Sequence, residues 1–169
     1  TFTAPTAVVT SSRTAVVTAT SNGISKSVTI AIVGASLAIN PSTVTGGFSS
    51  TGTVTLTSNA IINSVVFALT DNSTSSGFTG SQTAIVPAGF RTGQSTIISV
   101  PVSSNRTSTI TATNNGVSIT ATLTIQVATI SAIVASPNPI RGGNPFAGLA
   151  QLTGKAAGTS IVVTLADNS

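Results

Sequence analysis

Cysteine, histidine, methionine, tryptophan and tyrosine are all missing from this chain, and its only acidic side chains are Asp71 and Asp167. Without cysteine there is neither a disulfide framework nor a thiolate metal site. Without histidine or glutamate, general acid–base chemistry would rest on two aspartates or a lysine, so the reading is non-catalytic, with no catalytic, cofactor-binding or metal residues. Calcium sites take six to eight oxygen ligands, usually with several carboxylates, and two aspartates do not supply them. Positive charge is also sparse. Arg13, Lys26, Arg91, Arg106, Arg141 and Lys155 give a net charge of +4 but are scattered along the chain. A nucleic-acid reader needs a stripe of cations that neutralises several phosphates, so no nucleic-acid partner is expected. No apolar run approaches the roughly 18 residues of a membrane span, so no membrane insertion is expected in this segment. The opening Thr1-Phe2-Thr3 lacks the basic start and apolar core of a signal peptide, an absence that carries little meaning for an internal or processed piece.

What fills the chain instead is a β composition. Charged residues are 5% and apolar ones 40%, the latter mostly Ala, Val and Ile, and about a third of the chain is Ser or Thr. Branched Thr, Val and Ile side chains are stiff at χ1 and pack well on a pleated, half-buried surface. Disorder would need low hydrophobicity and high charge, and the chain has the reverse.

Internal repetition sets the organisation. Pro41 to Ser73 aligns without gaps on Pro137 to Ser169, 96 residues on, with thirteen of 33 positions identical. Ser11 to Ile32 aligns on Ser104 to Ile125, 93 residues on, with eleven of 22 identical. The matches include Gly46-Gly47 with Gly142-Gly143, Asp71-Asn72-Ser73 with Asp167-Asn168-Ser169, and Arg13 with Arg106. Residues 1–33 therefore read as the end of one repeat, 34–127 as a complete one and 128–169 as the start of a third. A period in the nineties suits a seven-stranded sandwich domain.

Strands are legible within the complete repeat. Leu37-Ala38-Ile39 stops at Asn40-Pro41, where proline ends pairing. Thr53 to Thr57 alternates strictly, Val65, Phe67 and Leu69 point one way, and Thr83 to Val86 precedes a Pro87-Ala88-Gly89 turn. Ser95 to Val102 reads as the next strand, and Thr107 to Thr113 and Val117 to Ile125 as the last two. Asn115-Gly116 joins that last pair and Asn22-Gly23 repeats the arrangement, since both residue types tolerate the positive φ of a type I′ hairpin turn. The predicted fold of 37–127 is one Greek-key sandwich with no helix beyond a single turn. Its buried set is Val54, Leu56, Val65, Phe67, Leu69, Ile110, Ala112, Leu123 and Ile125. Phe48, Phe78, Phe90 and Phe146, beside glycine-rich turns, are expected to plug the sandwich ends.

The segments Asn-Pro-Ser-Thr-Val-Thr-Gly-Gly at 40–47, Ser-Thr-Gly-Thr-Val-Thr-Leu at 50–56, Val-Pro-Ala-Gly at 86–89 and Asn-Gly-Val-Ser-Ile-Thr-Ala-Thr-Leu-Thr-Ile at 115–125 resemble bacterial immunoglobulin-like repeats. The resemblance covers nearly the whole chain, apart from Thr57 to Asn63. It implies tandem sandwiches in a large secreted or cell-surface protein of the stalk, sheath, filament or adhesin type, outside the cell. The expected partners are copies of the same chain, as a homo-polymer, or adjacent repeats of the same protein.

Two aspartates in equivalent places of successive repeats stand about a domain apart, and Asp-Asn-Ser after a strand is a turn signal. Asn72 and Asn105 head Asn-x-Ser/Thr sequons and are candidate glycosylation sites, although this Ser/Thr density also generates sequons by composition. A second reading is an adhesin or carbohydrate-binding module that grips glycans through the loops Thr57–Asn63, Asp71–Gln82 and Phe90–Gln94. A third is an accessory domain of a secreted enzyme. With so few charges to guard strand edges, self-association is the expected mode of partnership. Neither end piece can close a two-sheet core alone, because a lone hairpin is marginal in water. Either the chain is an excerpt, or neighbouring subunits complete its ends by strand complementation. A composite domain of that kind would lack a counterpart to Thr74–Ser95.

Overall fold

The computed structural model of the chain describes residues 1, 3, 9, 11–60, 63–73, 82–158 and 161–166. Among these the chain is all-β, with no helix. Its strands are β1 (Arg13–Ser21), β2 (Ile24–Ile32), β3 (Ala35–Asn40), β4 (Thr43–Thr45), β5 (Ser49–Leu56) and β6 (Val65–Asp71). They continue as β7 (Gln82–Val86), β8 (Thr92–Ile98), β9 (Arg106–Asn114), β10 (Val117–Gln126), β11 (Ile130–Ser136) and β12 (Ala147–Leu152).

Two sheets share one core. A five-stranded sheet runs β4-β10-β9-β6-β7 and a three-stranded sheet runs β3-β5-β8. Side chains alternate across a strand, and β5 turns Ser50, Gly52, Val54 and Leu56 inward by that rule. From the opposite sheet come Phe67, Leu69, Ile110, Ala112, Leu123 and Ile125. Eight of the nine expected core residues are therefore buried. Val65 is the correction: it is half-buried, because β6 meets β9 only from Ala68 onward and its first rung lies beyond that pairing. The strand expected at Ser95–Val102 is also displaced, to Thr92–Ile98. Beyond Ile98 the chain instead packs on the Gly46-Gly47 bend: the Ser99 hydroxyl donates to Phe48 O at 2.7 Å and accepts from the Gly47 N–H at 3.1 Å. Pro101 brings no N–H to extend a ladder there.

The phenylalanine plugs do not form. Phe48, Phe90 and Phe146 are all more than half exposed, and Phe78 lies outside the described residues. The core between the two sheets is made by aliphatic and alanine side chains and Phe67, and Phe146 stands outside it beside the β11–β12 hairpin.

One polar group in this core has no partner. Ser108 is 1% exposed and its hydroxyl makes no hydrogen bond. The equivalent position 93 residues earlier is Ala15. A buried hydroxyl without a partner costs about 1–3 kcal/mol, so Ser108→Ala is expected to stabilise the fold by about 1 kcal/mol. Thermal unfolding should then move up by about 4–8 °C for a domain of this size; a lowered midpoint would show that the hydroxyl has an unseen partner.

Outside the shared core stand two hairpins, β1–β2 and β11–β12, each its own two-stranded sheet. The β1–β2 ladder runs from Arg13 opposite Ile32 to Ser21 opposite Ile24, and the β9–β10 ladder from Arg106 opposite Ile125 to Asn114 opposite Val117. Every rung matches at a shift of 93. Both turns have the backbone expected from Asn-Gly, with φ of 49° and 76° at Asn22 and Gly23 and 48° and 77° at Asn115 and Gly116. Likewise Ile133 faces Ala150 and Ala135 faces Gly148 in β11–β12, as Leu37 faces Val54 and Ile39 faces Gly52 in β3–β5, at a shift of 96.

Candidate interaction surfaces

Chemistry is sparse. Among the described residues no three His, Cys, Asp or Glu side chains come together. The Asp71 carboxylate accepts a hydrogen bond from the Ser73 hydroxyl at 3.2 Å, as its turn position suggested, while Asp167 lies outside the described residues. Asn72 and Asn105 are exposed, and each uses its amide oxygen on the backbone. The Thr109 N–H donates to Asn72 Oδ1 and the Val127 N–H to Asn105 Oδ1, both at 2.9 Å. Asn72 thus fastens its loop to β9, and Asn105 fastens its loop to the segment that follows β10.

Of the three loops considered for ligand binding, Ile61, Ile62 and residues 74–81 fall outside the described residues. In the remaining parts, Thr57, Ala60, Phe90 and Arg91 have structural partners. Arg91 donates through Nε to Leu56 O at 3.2 Å and through Nη2 to Thr57 O at 2.6 Å. Its guanidinium therefore ties the β7–β8 connection to the end of β5 rather than standing free for a ligand.

Thr57, read from sequence as part of a divergent loop, is a junction residue. Its hydroxyl accepts from the Gly34 N–H at 2.8 Å and from the Ser12 hydroxyl at 2.6 Å. The Thr57 N–H also donates to Gly34 O at 2.9 Å. Thr153, 96 residues on, repeats the device: its hydroxyl accepts from the Thr129 N–H at 3.0 Å and its own N–H donates to Thr129 O at 2.8 Å. The signal for both was the Leu-Thr pair at 56–57 and again at 152–153. Threonine at a strand end offers a short hydroxyl next to the backbone, and it reaches the linker entering the neighbouring strand.

Apolar side chains also gather on the faces of the two hairpins. On β1–β2, Ala15 opposite Ile30 and Val17 opposite Val28 share one side. The other side is hydroxyl-rich, with Thr18 bonded to Ser27 at 2.9 Å and Thr20 to Ser25 at 2.7 Å. On β11–β12, Ile133, Val134 and Leu149 are all exposed, and they occupy both faces. Beyond that hairpin, residues 161–166 run without strand pairing and expose Val162 and Leu165. In the shared core the positions equivalent to Val17, Ile30 and Leu165 are Ile110, Leu123 and Leu69, each 0% exposed.

No protein-family model matches the chain, and no curated protein does. A third surface is a narrow crevice where β3 and β10 leave the two sheets open along one side, lined by Ala35, Ser36, Leu37, Ser118, Ile119 and Thr120. It holds no titratable group, and its chemistry is that of a sheet edge.

Proposed function

We propose that this chain is a non-catalytic structural repeat of an extracellular stalk, sheath or filament, built from immunoglobulin-like Greek-key sandwiches in tandem and self-assembling through β-strand edges or strand complementation. The observation that carries the reading is a mismatch between sequence equivalence and burial. Leu123 and Leu69, fully buried in the shared core, have counterparts in Ile30 and Leu165 that are exposed, and Val17, the counterpart of buried Ile110, is half-buried. A soluble monomer gains nothing from apolar side chains placed so, because burying each Val, Leu or Ile is worth about 1.5–3 kcal/mol. Contiguous exposed patches of this kind mark interaction sites. Scarce basic and aromatic residues leave few cleavage points for common proteases, and the lack of Cys, Met, Trp and Tyr leaves few targets for oxidation. Both suit a durable material outside the cell.

Sedimentation velocity of the purified chain over a wide concentration range, followed by negative-stain microscopy, tests the proposal. Growth of elongated assemblies with concentration is the expected result. A single monomeric species at every concentration would overturn it. A glycan array on the same sample separates the reading from an adhesin, for which selective binding without assembly is the signature.

A further inference from the structure

Resting on the self-assembly reading, we infer that residues 161–166 of one copy add as a strand to the free edge of β1 in a second copy, in a defined register. In the shared core, β9 lies between β10 and β6, with Ala68 opposite Thr113, Leu69 opposite Ala112 and Thr70 opposite Thr111. The chain also contains both halves of this arrangement separately. β1–β2 repeats β9–β10 rung for rung, but among the described residues nothing takes the place of β6 beside β1. Residues 161–166 align with β6 yet have no strand partner. Carrying the two shifts across sets Thr164 opposite Thr20, Leu165 opposite Ala19 and Ala166 opposite Thr18.

The side chains suit this docking. Leu165 would lie on the face of β1 that carries Val17 and Ala19, in the rung where Ala19 faces Lys26 and one rung from Val17 and Val28; in the core Leu69 occupies the same place beside Ala112, whose partner is Ile119. The donating copy's own β11–β12 would cover the same face, as β3 and β5 cover β9 and β10. Size argues that the two contacts act together. A hairpin of nine-residue strands is about 30 Å long and about 10 Å wide, which projects to roughly 300 Å². Doubling that for side-chain relief still falls short of the roughly 800 Å² per partner of a stable interface. Face packing alone is too small, and a hydrogen-bonded added strand supplies the remainder. Because donor segment and acceptor edge are different surfaces of the chain, the contact is heterologous, and it propagates as a fibre where its rotation does not close a ring.

The chain's lack of cysteine makes the register directly testable. Ala19→Cys and Leu165→Cys chains, each with a single thiol, are mixed in equal amounts under mild oxidation. Residues directly opposite in a sheet come within disulfide reach, so a covalent dimer containing both variants is expected. Thr14→Cys replaces Ala19→Cys as control; it lies on β1 about 17 Å from position 19, and its yield with Leu165→Cys should be about tenfold lower. Light scattering on the unsubstituted chain runs alongside. If the chain assembles but the 19–165 dimer does not exceed the control, the register inference is wrong while the assembly reading stands. If the chain stays monomeric, both fall.

Discussion

Replacing Leu69 with alanine is expected to destabilise the fold by about 3–5 kcal/mol, whereas the same change at Leu165 should cost no more than about 0.5 kcal/mol in a dilute, monomeric sample. The two leucines occupy equivalent positions 96 residues apart, so local sequence does not separate them. Their surroundings do. Leu69 is 0% exposed on a central strand, and one of its methyl carbons would lie 3.4 Å from a Cβ placed on Gly52 of the facing sheet. Deleting its branch removes packing on all sides and leaves a cavity that close-packed strands cannot collapse. Domains of this size are stable by only about 5–15 kcal/mol, so the loss is a large share of the whole. Leu165 is 71% exposed and loses almost no contacts on truncation. Urea unfolding of both variants, at a concentration where the parent chain is monomeric, checks the contrast. Equal shifts in midpoint would mean that Leu165 is already buried in the isolated chain.

Gly93→Ala is expected to cost about 3 kcal/mol, at the upper end of overpacking effects. Gly93 opens β8 opposite Val54, where the edge of the three-stranded sheet comes against β7 of the other sheet. A Cβ there would lie 2.8 Å from the Val86 amide nitrogen and nearer still to the Ile85 carbonyl. The obstructing atoms are backbone of a neighbouring strand, which cannot rotate away as a side chain does. Relief requires β8 to move off β7, loosening the core around Val86 and Val54, both 0% exposed. It also strains the link in which the Ser95 hydroxyl donates to Gln82 Oε1 at 2.9 Å. Gly142→Ala is the control: a Cβ at Gly142 meets nothing within 4 Å, and the change should be neutral or stabilising by about 0.5 kcal/mol through the unfolded chain. The comparison is read from unfolding midpoints and amide exchange across β7 and β8. A Gly93→Ala protein as stable as the Gly142→Ala one would mean that the two sheets are not in backbone contact there.

Much of this architecture follows from short-range pattern. Thr-Val alternation in β5 dictates one buried face because side chains alternate at period two. Asn-Gly dictates the two hairpin turns because few other pairs accept positive φ at both central positions. Those two rules, applied to 34–127, account for eight of nine expected core residues. The scarcity of acids and the absence of histidine and cysteine confined the candidate chemistry before any coordinates were considered.

Where the strands end was decided by tertiary contact. Val65 is half-buried because β9 does not reach it, and β8 gives way beyond Ile98, where Ser99 bonds through its N–H and its hydroxyl to the Gly47-Phe48 bend. Neither partner is near in sequence. The roles of Thr57 and Arg91 were hidden for the same reason: both act through backbone groups that only the fold brings alongside. Phe48 and Phe90 were misassigned because a hydrophobic ring beside a turn is buried only if the sheets leave room for it, a property of the packed whole. The sequence alone determined which segments are alike, since repetition is written residue by residue. Which of the like segments share a core and which lie open was decided by the tertiary structure, because burial depends on both sheets being present to close around the same side chains.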